Sequence, residues 1–190
     1  MENQNKYKTG LKRFFAAWAD GFIMGLLTIW FEPQLFSPSG ENQILFFSII
    51  VATPILYSIL MHGFLGWTLG KKLLRIKVVR NSDEKSINML QATLRDIVPL
   101  LLVMFCIYSF ASIYTAGDTS TFVRYESLFN MINYMYGLWL LLEIITMLFN
   151  KKRRAFHDFM ANTVVIDTNL RKPAEEIEVT ASMRPQMPKN

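Results

Sequence analysis

The chain has 190 residues, of which 52% are hydrophobic and 18% are charged, and its formal net charge at pH 7 is +5. Soluble domains are usually about 25% charged, so this composition points away from an ordinary soluble domain. The basic residues flank apolar blocks, which indicates membrane topology and attraction to anionic lipid headgroups. No aromatic-interleaved basic motif accompanies them, and we predict no nucleic-acid partner.

The apolar residues are gathered into four blocks, each about as long as the roughly 20 helical residues that cross a hydrocarbon core of about 30 Å. Each block is apolar around its whole circumference, which excludes a soluble amphipathic helix. The predicted spans are residues 14–31, 44–62, 97–116 and 131–149. We therefore predict an all-α membrane protein, a four-transmembrane-helix bundle in contact with the lipid bilayer.

Basic residues sort by side of the membrane. Of the 20 Lys and Arg residues, 19 lie before the first span, between the second and third, or after the fourth, and only Arg124 lies in the other connections. Positive loops stay in the cytoplasm during insertion, which predicts that both termini are cytoplasmic. We divide the chain into a cytoplasmic amino-terminal segment (1–12), a transmembrane domain (13–167) and a disordered cytoplasmic tail (168–190).

Two short segments outside the spans are typical of strands. From Leu74 apolar and basic residues alternate, which is the period of a half-buried strand, and a β-branched run follows at residues 163–166. We predict that the two pair as a small cytoplasmic two-stranded β element against the membrane face. An interfacial amphipathic helix from Lys71 to Val79 is the alternative.

Asp20 and Glu143 are carboxylates inside predicted spans, where a charge is costly unless it is paired, protonated or hydrated. Each lies roughly 9 Å inside the cytoplasmic boundary at about 1.5 Å per residue. If the first and fourth spans are neighbours, the two carboxylates could share a proton. They form the candidate proton or sodium site.

Arg13 offers a structural explanation for the same charges. It precedes Asp20 by about two helical turns on the same face and could meet a carboxylate from another segment, such as Asp158. Arg95 is a further partner for Asp20 or Glu143. His157 is expected to be a hydrogen-bonding neighbour of Asp158.

Enzyme chemistry has no support in the sequence. It contains no HExxH motif and no Ser or Cys nucleophile with a paired base at recognisable spacing. The two histidines, His62 and His157, are too far apart and too unaccompanied for a metal site. We predict no catalytic residues, no metal and no cofactor.

Three stretches carry a resemblance to the RDD family of bacterial and archaeal membrane proteins, named for one arginine and two aspartates. RFFAAWADGFI resembles the opening motif, with Arg13 and Asp20 as its first two charges. RRAFHDFMANTVVI resembles the closing motif, which makes Asp158 the second aspartate. The resemblance implies a location in the plasma membrane.

GWTLGKKLLRIKVV resembles the family's central glycine and lysine motif, which contains Gly66, Gly70 and Lys71. The chain departs from the family at Arg75 and Asn162, where glycine is common. The departures concern loop geometry rather than membership.

The resemblance leaves two functions open, because some members are implicated in sodium or proton exchange and others act as accessory or regulatory partners of membrane proteins. The preferred hypothesis is an accessory or regulatory module that binds a membrane-protein partner through its basic face. The alternative is a small oligomeric sodium/proton transporter that uses Asp20 and Glu143. A short chain whose charges cluster at one face favours the former.

Overall fold

A computed structural model describes residues 4–31, 33, 42–116 and 121–170. The helices of this part are α1 (Gly10–Thr28), α2 (Gln43–Leu65), α3 (Leu69–Leu73), α4 (Met89–Arg95), α5 (Ile97–Ala116), α6 (Thr121–Leu148) and α7 (Phe156–Met160). The strands are β1 (Ile76–Arg80) and β2 (Thr163–Asp167), and short 3-10 helices occupy Gln4–Tyr7 and Thr168–Leu170.

Three helices are long and apolar enough to cross a membrane: α2, α5, and the part of α6 from Val123 to Leu148. They correspond to the predicted spans 44–62, 97–116 and 131–149. Helix α6 begins ten residues before its predicted span, because an apolar block marks the hydrocarbon depth and not the point where backbone hydrogen bonding ends.

The first predicted span, 14–31, corresponds to α1, which begins one turn earlier, at Gly10. Lys12, Arg13 and Asp20 lower the mean hydropathy of this helix, and it is not among the three candidate spans. The four-helix count is therefore not established by length and composition alone.

The predicted small sheet is present. Strands β1 and β2 pair antiparallel, with Val78 opposite Val165 and Val79 opposite Val164. The alternative of a helix from Lys71 to Val79 is wrong, because the helix in this region, α3, ends at Leu73 and the β-branched residues that follow pack better on a pleated surface.

Both faces of the sheet are covered, whereas the sequence pattern predicted a half-buried strand. One face packs on the helix ends, in a cluster of Ala16, Ile59, Ile76, Val78, Ile87, Ala92 and Val165. On the other face, Tyr7 packs on Val79, Val164 and Ile166. The 3-10 helix Gln4–Tyr7 therefore closes a surface that the alternation suggested would face water.

The chain repeatedly returns to the sheet end of the bundle. Helix α1 starts there, since a Cβ on Gly10 would lie 3.9 Å from Met147 near the end of α6. At the other end of the bundle, the ring centroids of Phe31 and Phe46 are 6.4 Å apart. Helix α1 and the three turn residues after it, 29–31, thus extend along the bundle from the sheet to the start of α2.

Two departures from the family pattern occupy left-handed backbone. Arg75 has φ 55° and Asn162 has φ 50°, a region in which glycine is free of the Cβ clash that other residues meet. Each residue ends a tight turn immediately before a strand. The loop geometry that glycine would favour is therefore kept here by residues that adopt it under strain.

The segment predicted to be a disordered tail, 168–190, begins with an ordered turn. The backbone N–H of Thr168 donates to the carbonyl oxygen of Arg75 at 2.9 Å, which extends the edge of the sheet. The remainder, residues 171–190, lies outside the described residues, and so do the first three residues of the segment 1–12.

Candidate functional site: a charge cluster at the sheet end

Asp158 is the centre of the cluster and is completely buried. Its Oδ2 atom accepts hydrogen bonds from Arg13 Nη1 at 2.7 Å and from the backbone N–H of Ala155 at 3.0 Å. Its Oδ1 atom accepts from Arg95 and from the Thr163 hydroxyl, the latter at 3.2 Å. Burial alone would raise the pKa of this carboxyl, but Arg13 and Arg95 hold the pKa well below its usual value.

Arg95 is 3% exposed and sits between Asp158 and the Thr163 hydroxyl, to which it donates at 2.7 Å. The prediction that Arg95 pairs with Asp20 or Glu143 is wrong, because α4 packs against α7 and so brings Arg95 to Asp158 instead. The expected contact between Arg13 and Asp158 is present. Two arginines from separate helices therefore share one carboxylate.

Glu143 pairs with His157 at the edge of the same cluster. His157 Nδ1 lies 2.5 Å from Glu143 Oε2, and the backbone N–H of His157 donates to Glu143 Oε1 at 3.3 Å. The other ring nitrogen, Nε2, is 2.8 Å from Arg95 Nη2. Because a guanidinium can only donate, Nε2 accepts and the ring proton lies on Nδ1, facing Glu143.

The expected neighbour of His157 was Asp158, and the two do lie close, with His157 Nε2 at 3.5 Å from Asp158 Oδ1. The shorter contacts are those with Glu143 and Arg95. His157 thus links the carboxylate of α6 to the buried centre of the cluster.

Asp20 lies in a separate set of contacts. Its Oδ2 accepts from the Thr68 hydroxyl at 2.5 Å, and its Oδ1 accepts from the Gly70 N–H at 2.8 Å and from the Tyr57 hydroxyl at 2.9 Å. In the described part of the chain no hydrogen bond joins Asp20 to Glu143, so the structure does not bring the two predicted ion-site carboxylates together. Asp20 instead holds the central segment against α1.

Gly70 makes that contact possible. A Cβ atom at this position would lie 2.2 Å from the carbonyl oxygen of Ala16, so the backbones of α1 and α3 touch where only glycine fits. Glycine suits position 66 for a different reason, because this residue ends α2 with φ 76°, a left-handed conformation. The two glycines of the central motif thus serve close approach and chain reversal.

A second chain of polar side chains was missed by the sequence analysis. Lys71 Nζ is 2.6 Å from His62 Nε2, the Ser58 hydroxyl is 3.2 Å from His62 Nδ1, and the same hydroxyl donates to Asp96 Oδ2 at 2.7 Å. Burial, with a smaller contribution from Arg95, lowers the pKa of Lys71 to about 7. The available signal was the spacing of Ser58 and His62, one helical turn apart on α2.

The arrangement ties distant parts of the sequence together. Arg13 joins the opening stretch to the closing stretch through Asp158, and Asp20 joins the opening stretch to the central one through Thr68 and Gly70. Within the described ranges, no group of three or more His, Cys, Asp or Glu side chains is placed to hold a metal ion.

A family match covers most of the chain. The family model of the RDD family matches residues 7–162, which include the opening and central stretches and the closing stretch as far as Asn162. No curated protein and no solved structure matches the chain. Because the match covers most of the chain, the protein belongs to the RDD family.

Proposed function

We propose that this RDD-family protein is an accessory or regulatory membrane module that crosses the bilayer four times and presents a basic cytoplasmic surface to a membrane-protein partner. The observation that carries the proposal is that the motif charges are engaged with other segments of the chain at one end of the bundle. Charges used in this way position the surface and are not free to carry ions across it.

The fourth span in this proposal is α1. With 19 residues it is about 28 Å long at roughly 1.5 Å per residue, close to the hydrocarbon thickness. Its first turn lies at the sheet end, and Phe31, just after it, contacts Phe46 at the far end of α2. Tyr7 and β2 also meet at the sheet end, and an even number of crossings returns both chain ends to one side.

Cysteine labelling tests the topology. In a Cys106→Ser background, we expect Lys8→Cys and Lys151→Cys to react with an impermeant maleimide only when the cytoplasmic side is accessible. Val123→Cys, at the start of the span in α6, is the control for the opposite side. Labelling of Lys8→Cys and Lys151→Cys from opposite sides would mean three crossings and would overturn the four-span arrangement.

The transport alternative needs a path through the rest of the membrane. Apart from Asp20, Glu143 and His62, no charged or histidine residue occurs in 14–31, 44–62, 97–116 or 131–149. Two hydroxyls that could assist an ion, Thr28 and Ser48, donate to carbonyl oxygens of their own helices at 3.0 and 2.7 Å. An ion leaving the cluster would therefore meet few groups to replace its hydration.

The basic surface is the region that the proposal assigns to a partner. Lys72, Arg75 and Lys85 are exposed on the segments around β1. Lys72 and Lys77 flank Trp67, with Nζ atoms 5.6 and 5.1 Å from its ring centroid. This surface also lies next to the membrane interface, where basic residues are attracted to anionic headgroups.

Reconstitution separates the two functions. Purified protein in liposomes is given a sodium or proton gradient, and internal pH is followed for the wild type, Asp20→Asn and Glu143→Gln. The proposal predicts no ion-dependent proton movement by a stably inserted wild type. Proton movement that is lost in a correctly folded Glu143→Gln variant would establish transport and overturn the proposal.

Photocrosslinking in native membranes tests partner binding directly. A crosslinker at Lys72 is expected to capture another membrane protein, whereas the same group at Leu101, which is 56% exposed on α5, serves as the control for chance encounters. Equal capture at both positions would contradict the assignment of the basic surface.

A further inference from the structure

We propose that two copies of this chain associate within the membrane through one face of α6, formed by Asn130, Asn133 and Gly137 and hereafter called the α6 amide face. The inference rests on α6 crossing the membrane and does not depend on the accessory function proposed above. The occupant of the face is the same face of a second copy.

The α6 amide face points away from the rest of the chain. Helix α6 packs inward through Tyr125 and Ile132, which contact the cluster around Phe47 and Phe110, and Leu128 is buried as well. At about 3.6 residues per turn, residues 130, 133 and 137 lie in one narrow stripe on another side of the helix. All three are exposed, and a Cβ on Gly137 would meet nothing within 4 Å.

The depth of these residues makes their exposure costly. Asn133 lies 15 residues before Leu148, and Gly137 lies 11 residues before it. At 1.5 Å per residue, the two are about 22 and 16 Å from the sheet end of α6. Both depths lie inside a hydrocarbon core of about 30 Å. In the described part of the chain, the side-chain amides of Asn130 and Asn133 form no hydrogen bond.

Several exposed side chains on the other spans suit lipid. On α5 they include Leu101, Met104 and Phe105, which lie within about 12 Å of the start of the helix at 1.5 Å per residue. Hydroxyls on the spans, such as Thr53 and Thr146, donate to carbonyl oxygens one turn back in their own helices. In contrast to these hydroxyls, the exposed amides of Asn130 and Asn133 make no hydrogen bond to their own helix within the described residues.

A second copy of the chain provides hydrogen-bond partners for the exposed amides. An asparagine amide both donates and accepts, so Asn133 opposite Asn133 across a two-fold axis completes a pair of hydrogen bonds. Gly137 lets the two backbones approach closely, as small residues do between membrane helices. Glu126, on the same side, is about 33 Å from Leu148 by the same rise per residue and lies where water screens its repulsion.

Disulfide crosslinking tests the location of the contact. In the Cys106→Ser background, Gly137→Cys in liposomes at high lipid-to-protein ratio is expected to form a covalent dimer on mild oxidation. Tyr108→Cys, on α5 and 73% exposed, is the matched control and should stay monomeric. Equal crosslinking at both positions would indicate random collision and would overturn the proposal.

Reversible association tests the role of the amides. Energy transfer between labelled copies, measured as lipid is added, should show the dissociation constant of Asn133→Leu raised roughly tenfold, the scale of one hydrogen bond between membrane helices. Met135→Leu, an apolar exchange on a neighbouring exposed position, should leave it unchanged, and matched melting temperatures exclude unfolding. A wild type that stays monomeric at every dilution, or Asn133→Leu that associates as tightly as wild type, would overturn the proposal.

Discussion

Replacing Asp158 with asparagine should be among the most damaging single changes in this protein. The substitution removes one negative charge from between Arg13 and Arg95 and leaves two guanidinium groups facing each other where Asp158 is completely buried. Three guanidinium nitrogens, Arg13 Nε and Nη2 and Arg95 Nε, already lack a hydrogen-bond partner. Breaking a buried ion pair on one side costs about 3 to 5 kcal/mol, and we expect a loss of unfolding free energy in that range.

The lone cysteine provides the assay. Cys106 is 6% exposed, so a fluorogenic maleimide should label it only as the helices separate, and the melting temperature of Asp158→Asn should fall well below that of wild type. The pKa of Asp158 is lower in the folded protein than in the unfolded chain. The stabilisation that its charge provides is therefore fully present above the pKa in the unfolded chain, about 4, and is lost as the pH falls through the folded pKa. The difference between wild type and variant should therefore be full at neutral pH and shrink in strong acid.

Asp167→Asn is the matched control for this prediction. Asp167 pairs with Lys12 at 2.5 Å, but the Lys12 side chain is 36% exposed, and an ion pair open to water is worth under about 1 kcal/mol. Equal melting temperatures for the two variants would mean that burial and the two arginines do not make Asp158 more stabilising than an exposed ion pair.

Three further substitutions test local features. Gly70→Ala should lower the free energy of unfolding by about 3 kcal/mol, the upper end for overpacking, because its Cβ would lie 2.2 Å from a backbone oxygen. Gly21→Ala, which has open space around it, should leave the melting temperature unchanged. Equal effects of the two substitutions would contradict the close approach at Gly70. Arg75→Gly should be about 1 kcal/mol more stable than Arg75→Ala, because both variants lose the arginine side chain and only alanine keeps the strain of φ 55°. Equal stability of the two variants would mean that this strain is absent. The pKa of Lys71 is lowered to about 7, so only the unfolded chain keeps this proton between pH 7 and 10, and the stability of the wild type should increase over that range. Lys71→Met should flatten this increase in a pH series of melting temperatures. An unchanged slope would contradict a buried neutral amine at Lys71.

Sequence reasoning located the three helices that are long and apolar enough to cross a membrane, because hydrocarbon demands long apolar segments and this requirement leaves a local signal. The sheet was also predictable, since the alternation from Leu74 and the run Thr163–Ile166 are properties of each segment alone. The second face of the sheet was not, because its cover is Tyr7, which lies some 70 residues or more from both strands and stands in a segment with no apolar period.

The charge cluster was only partly predictable. The pairing of Arg13 with Asp158 was predicted because a long arginine can reach a carboxylate from another segment. Which carboxylate Arg95 would reach depended on the packing of α4 against α7. Equal depth suggested a contact between Asp20 and Glu143, yet depth does not fix the angle around the bundle, and each carboxylate bonds to a different segment. The polar contacts from Lys71 to Asp96 join three elements, and their one local signal was the four-residue spacing of Ser58 and His62 on α2.

The motif charges hold the three motif segments together. Amide hydrogen exchange in residues 68–73 tests this, because the Gly70 N–H donates to Asp20 Oδ1 at 2.8 Å. In Asp20→Asn the exchange of this segment should accelerate by roughly tenfold or more, the consequence of losing a charge-assisted hydrogen bond of about 1.5 kcal/mol, while the sheet stays protected. Unchanged exchange in a correctly inserted Asp20→Asn variant would mean that Asp20 does not hold the central segment in place.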